Sequence, residues 1–133
     1  MQIRELSPSE WEEGYFLLSK LRFETSFEQF KTFISSQSPQ NYRPIGAFQR
    51  GELSIYAGVA IRENLEIGRH LVLDDFIARE GDEHLCSEMI DYLRDYGKMH
   101  KCTSLFIWGT HRGLSLRDLN AFRPKRDGYI SVF

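Results

Sequence analysis

Several features that would announce a function class are missing from this chain. No apolar run approaches the roughly 20 residues of a membrane span. The first residues hold no basic segment followed by an apolar core, so a secretory signal is not expected. Both absences point to a cytoplasmic protein with no membrane partner. Cysteine is scarce: Cys86 and Cys102 are the only two, and they lack metal-ligand spacing. That excludes a disulfide framework and reads as free thiols in a reducing compartment, with a disulfide or a catalytic thiol as the alternatives. His70, His84, His100 and His111 form no His-x-x-x-His pair, so no metal site is expected. The formal net charge of −2 exerts no general pull toward nucleic acid. The C-terminal arginines are not interleaved with aromatics, which argues against a nucleic-acid partner. There is no internal repeat, low-complexity tract or linker.

What is present is ordinary for a globular protein: 133 residues, 41% hydrophobic and 27% charged. This length predicts one domain over residues 1–133 with a core that needs no staples. Met1 to Leu6 reads as a short strand. Ser7-Pro8-Ser9-Glu10 opens a helix, with Trp11, Tyr15, Leu18 and Leu21 at helical spacing. Ser26-Phe27-Glu28-Gln29 repeats the start signal ahead of Phe27, Phe30, Phe33 and Ile34. Three strands follow, Tyr42 to Gln49, Leu53 to Arg62 and Arg69 to Ala78, joined by turns at Arg50-Gly51 and Glu63 to Gly68. They predict an antiparallel meander. A helix from Leu85 to Tyr96 then buries Leu85, Met89, Ile90, Leu93 and Tyr96. The strand Thr103 to Trp108 comes next, so the preceding strand, helix and this strand predict a parallel pair with a right-handed crossover. Gly109 to Asn120 reads as a weak helix, and Tyr129 to Phe133 as a last strand. Charge is uneven: carboxylates crowd Asp74 to Asp95, and Arg112, Arg117, Arg123, Lys125 and Arg126 crowd the C-terminal part. Both are solvated surface by default; the alternative is that they complement each other or flank an anion.

The stretch from Leu71 to Trp108 says most about function. A loop feeding a helix start can hold a phosphate, because the first helical N–H groups are unpaired. Here that loop is Gly81-Asp82-Glu83-His84-Leu85-Cys86, with one glycine and two adjacent carboxylates.

The order of elements resembles the GNAT superfamily of N-acetyltransferases, over nearly the whole chain. The phrases Tyr42-Arg43-Pro44-Ile45-Gly46-Ala47-Phe48, Ala57-Gly58-Val59, Arg62-Glu63-Asn64-Leu65, Gly68-Arg69 and Asp74-Asp75 look like its central sheet. Ile90-Asp91-Tyr92-Leu93 followed by Lys101-Cys102-Thr103-Ser104-Leu105 looks like its cofactor helix and the strand after it. The resemblance implies an α/β (α+β) fold with a mixed, mostly antiparallel sheet flanked by helices and one splayed parallel strand pair. It implies acetyl-CoA in the splay. The pantetheine arm would run along Asp75 to Ala78, hence Phe76, Ile77 and Ala78. The pyrophosphate would sit on Gly81, His84, Leu85, Cys86 and Ser87. A small-molecule or peptide amine would accept the acetyl group, and a homodimer is left open.

The chain departs from that pattern twice. The family loop runs Arg/Gln-x-x-Gly-x-Gly/Ala; its arginine falls here on Gly81 and its glycines on His84 and Cys86. Side chains there push a phosphate away, and Asp82 and Glu83 repel it. A unit pair at about 5 Å costs roughly 1–3 kcal/mol for an effective dielectric of 80 to 20. Together these terms amount to a loss of about 10²–10⁴ in affinity. The family's general-acid tyrosine falls on Leu119, and no tyrosine occurs between Tyr96 and Tyr129.

Asp75 and Asp74 are the candidate bases for deprotonating an amine. Adjacent strand residues face opposite ways, so only one lines the cleft, and the alternation does not say which. The structural alternative is a loop cap for one and a pair with Arg69 or Arg79 for the other. His84 reads as a neutral surface residue or a phosphate partner, Trp108 as core or cleft wall, and Arg112 and Arg117 as solvated or reaching a phosphate. Two functions remain: an N-acetyltransferase, or a non-catalytic binding or regulatory protein on the same fold that has lost acyl-CoA.

Overall fold

The computed structural model describes residues 1–21, 24–36, 42–108, 113–115 and 117–133. The strands are β1 (Gln2–Glu5), β2 (Arg43–Gln49), β3 (Glu52–Asn64), β4 (Gly68–Ala78), β5 (Ser104–Trp108), β6 (Arg123–Lys125) and β7 (Gly128–Val132). The helices are α1 (Trp11–Leu18), α2 (Phe27–Ser35) and α3 (Cys86–Met99). The strands form one mixed sheet in the order β1-β2-β3-β4-β5-β7-β6. Only β4 and β5 are parallel; the other pairings are antiparallel. This is the mixed sheet with one parallel pair that the sequence predicts. No helix among the described residues is long and apolar enough to cross a membrane.

Local chemistry explains the element starts. The Ser26 hydroxyl accepts from the Gln29 amide at 3.1 Å, and Gln29 reaches back to the Ser26 amide at 2.8 Å. At the first helix, Glu10 accepts from the Ser7 amide at 2.9 Å, but the chain makes a 3-10 turn over Pro8–Glu10 before α1 begins. Arg4 holds Glu10 through two bonds of 2.6 Å, tying β1 to that turn. Arg50 and Gly51 take φ of 55° and 81°, the left-handed pair that a tight hairpin needs.

The sheet separates two cores. On one face α3 packs Cys86, Met89, Ile90 and Leu93 against Ile45, Ile55, Val59, Leu71 and Leu73. On the other, α1 and α2 pack Leu17, Leu18, Phe30 and Ile34 against Phe48, Leu53, Tyr56 and Ile77. Two bulges decide which residue joins which core. Ser54 is an extra residue opposite the step from Ala47 to Phe48, and Asp74 is one opposite the step from Gly58 to Val59. Before the second bulge Leu71 and Leu73 face α3; after it Phe76 and Ala78 do.

The C-terminal part differs from the weak helix expected over Gly109 to Asn120. Residues 109–112 and 116 lie outside the described residues, and 117–121 form turns. Ser115 and Asp118 close one such turn through their own side chains, with Asp118 accepting from the Ser115 amide at 2.9 Å. Such local side-chain bonds compete with helix formation. The basic run then becomes strand β6, which sequence alternation did not reveal. Lys125 and Arg126 pair with Glu66 at 3.5 and 2.8 Å, not with the carboxylates of α3.

Candidate active site

The pairing of β4 with β5 ends at Leu73 opposite Ile107, while β4 runs on to Ala78. The strands therefore splay at Asp74, and the site has two halves, one on each face of β4.

Asp74, the bulge residue, stays at the mouth of the splay. It accepts from Trp108 Nε1 at 3.1 Å and from Arg62 at 3.2 Å. It ties β3, β4 and β5 together there. Trp108 is half-exposed at this mouth rather than in the core. Burial pushes the Asp74 carboxyl up, and Arg62 and Trp108 oppose that shift.

The bulge turns Asp75 to the α1/α2 face. There Tyr42 donates to Asp75 Oδ2 at 2.8 Å, and the Tyr42 and Tyr56 hydroxyls lie 2.9 Å apart. A carboxylate only accepts, and a phenol has one proton. Tyr42 therefore donates to Asp75, and Tyr56 donates to Tyr42. Burial raises the Asp75 pKa; the Tyr42 bond opposes this, and the Asp74 charge adds to it. Both tyrosines are buried and titrate well above the ordinary phenol range. Asp75 forms part of the wall of a cavity of about 640 Å³ whose lining includes Leu18, Leu21, Glu24, Phe30, Phe33 and Tyr42. Neither aspartate pairs with Arg69 or Arg79: Arg69 donates to the His100 carbonyl at 2.9 Å. Arg79 bonds Glu52 at 2.8 Å and the Leu53 carbonyl.

Sequence reasoning did not find Tyr42 and Tyr56 as site residues. One usable signal is Gly58: a Cβ there would lie 1.9 Å from the Tyr42 hydroxyl, so the glycine makes room for this tyrosine. Only the pairing of β2, β3 and β4 brings them together.

The other half borders β5 and α3. The Arg79 amide donates to the Ser54 carbonyl at 2.7 Å. Alternate residues of a strand face the same neighbour. Ile77 thus also turns its backbone toward β3, and Phe76 and Ala78 turn theirs toward the splay. The side chains of Phe76 and Ala78 are buried in the α3 core, and that of Ile77 in the α1/α2 core.

The loop closes on itself. Gly81, at φ 94°, donates its amide to Glu83 Oε1 at 2.8 Å. The amides of Asp82 and Leu85 donate to the carbonyls of Arg79 and Asp82 at 2.9 and 3.0 Å, and that of Cys86 to the Glu83 carbonyl. His84 and Ser87 are exposed, whereas Leu85 and Cys86 are core residues. The Cys86 thiol donates to the Gly113 carbonyl at 3.4 Å. Burial, with Asp118 and Glu83 nearby, pushes it up to about 12, so it is no nucleophile. Gly113, at φ 103°, sits so close to β4 that an added Cβ would be 2.7 Å from Ala78 Cβ. Leu119 is buried in the α3 core. A cavity of about 770 Å³ lies beside α3; its lining includes Glu83, Asp91, Asp118, Arg94 and Arg117, with His84. His111 and Arg112 lie outside the described residues.

Acetyl-CoA is the group this fold implies, and these residues do not fit its pyrophosphate. Four of the loop amides, those of Gly81, Asp82, Leu85 and Cys86, are spent on the chain's own acceptors, one of them a carboxylate, and Arg79 is committed to β3. The far end of the free β4 edge is covered by Gly113.

No family model matches the chain, and no curated protein matches it in sequence. Solved structures do match in shape. An aminoglycoside 6'-N-acetyltransferase from Acinetobacter haemolyticus superposes with a TM-score of 0.67 at 14% identity, over 90% of this chain and 83% of that one. A ribosomal-protein-alanine N-acetyltransferase from Brucella melitensis gives 0.67 at 15% identity, over 80% and 79%. A glucosamine-6-phosphate N-acetyltransferase from Arabidopsis thaliana gives 0.65 at 19% identity, over 80% of each chain. With the splayed β4–β5 pair and the crossover helix between them, these likenesses give the chain its class: it has the GNAT fold.

Proposed function

We propose that this chain binds a primary amine in the pocket above Asp75 and does not hold acyl-CoA at its loop. The carrying observation is the Asp75 carboxylate in an apolar and aromatic cavity, held by the Tyr56–Tyr42 hydroxyl chain. A half-buried carboxylate is costly without a cation, and an ammonium is the cation that such a pocket suits. Three fold relatives are by name enzymes that acetylate amines of an aminoglycoside, a protein alanine and an amino sugar. The amine half of the fold thus survives here as an amine site, and the partner is a small-molecule or peptide amine.

A second reading, N-acetyl transfer from acetyl-CoA to that amine, draws on the open β4 edge at Phe76 and the 770 Å³ cavity beside Ser87. In it Asp75 is the base, and Asp74 holds the mouth of the splay. Isothermal calorimetry of the full chain with acetyl-CoA and with CoA separates the two. The expected dissociation constants are weaker than about 1 mM. Values in the low micromolar range overturn the loss of the cofactor and favour the second reading.

A further inference from the structure

Among the described lining residues of the Asp75 pocket the ionisable groups are the carboxylates of Asp75 and Glu24 and the hydroxyl of Tyr42; no lysine, arginine or histidine is there. Asp75 uses one oxygen on Tyr42 and has no other partner among the described residues. Glu24 is exposed and has no ion pair or hydrogen bond among them. Phe30, Phe33 and Tyr42 line the same cavity, the last two in edge-to-face contact at 4.9 Å. The volume of about 640 Å³ suits a small molecule rather than an ion. A divalent metal is not the occupant these residues favour, since no group of three or more His, Cys, Asp or Glu among the described residues could hold one.

We propose that this pocket takes a linear diamine, one ammonium on Asp75 and the other on Glu24, with its methylene chain against Phe30, Phe33 and Tyr42. The proposal rests on the amine-binding reading above. A monoamine seated on Asp75 neutralises that carboxylate alone and leaves the second anchor unused. A dication neutralises both, and its apolar middle matches the aromatic walls.

The test is calorimetry on the full chain at about 0.15 M salt, where unspecific attraction between distant charges is screened. The probes are diaminobutane, diaminohexane, butylamine and butanediol. One of the diamines is expected to bind about tenfold tighter than butylamine, a gain of about 1.4 kcal/mol, and butanediol not to bind. Glu24→Gln, a surface change that should leave the circular dichroism spectrum intact, is expected to erase the diamine advantage. Diamine and butylamine affinities that are equal in the unaltered chain overturn the proposal and leave the amine site standing. A diamine advantage that survives Glu24→Gln overturns it as well. Binding of neither amine removes the amine site itself.

Discussion

At the scale of single residues, Asp75 is a group whose chemistry its surroundings reshape. Burial raises its pKa above the ordinary 3.8, so the folded chain holds this proton more readily than the unfolded one. Its contribution to stability is therefore full below the unfolded pKa and is lost as pH rises through the raised folded value. Asp75→Asn removes that loss and keeps an acceptor for Tyr42. We expect the variant to have a higher urea midpoint than the parent at about pH 7, and nearly the same midpoint at about pH 4. It should also lose amine binding. A lower midpoint at the neutral pH would show that the ionised carboxylate holds the fold together. Gly58 belongs to the same account. It leaves room for the Tyr42 hydroxyl that donates to Asp75.

At the scale of elements, much of the architecture is written locally. The Ser26–Gln29 box, the Arg50-Gly51 turn and the Met89, Ile90, Leu93 stripe are visible in sequence because each depends on neighbours a few residues away. Ser26→Ala is expected to cost about 1 kcal/mol, read as a shift in urea midpoint with an unchanged slope. No shift would mean that tertiary packing alone sets the start of α2. The bulges are different. Nothing in Leu73-Asp74-Asp75-Phe76 marks Asp74 as the extra residue; the long-range register with Gly58 and Val59 does. For that reason simple alternation could not say which aspartate faces the pocket. Strand β6 escaped for a similar cause: Arg123-Pro124-Lys125 has no apolar alternation and exists through its pairing with β7.

At the scale of the whole molecule, the sheet separates the α1/α2 face, where we propose the amine site, from the α3 face. The α3 face is closely packed. Leu119 is a core residue only 7% exposed. Gly113 lies on Ala78, and Cys86 points into the interior. If Leu119 serves packing, Leu119→Ala should destabilise the chain by about 2–5 kcal/mol, measured by chemical denaturation, and leave amine affinity unchanged. A change below about 0.5 kcal/mol, the ordinary range for a surface position, would put Leu119 outside the core.

The amino-acid order by itself determined most of the elements and the pairing of the central strands, because hydrophobic period, capping residues and turn residues act over short distances. It also put two carboxylates, Asp82 and Glu83, in the loop from Gly81 to Cys86, and their charge is a local fact. The tertiary structure alone decided that Asp75 and not Asp74 lines the cavity beside α2, and that Tyr42 and Tyr56 form a hydroxyl chain to it. It likewise decided that Glu83 fills the loop's own donor. The physical reason is common to all three: each depends on strand register or on a hydrogen bond whose geometry no sequence period encodes.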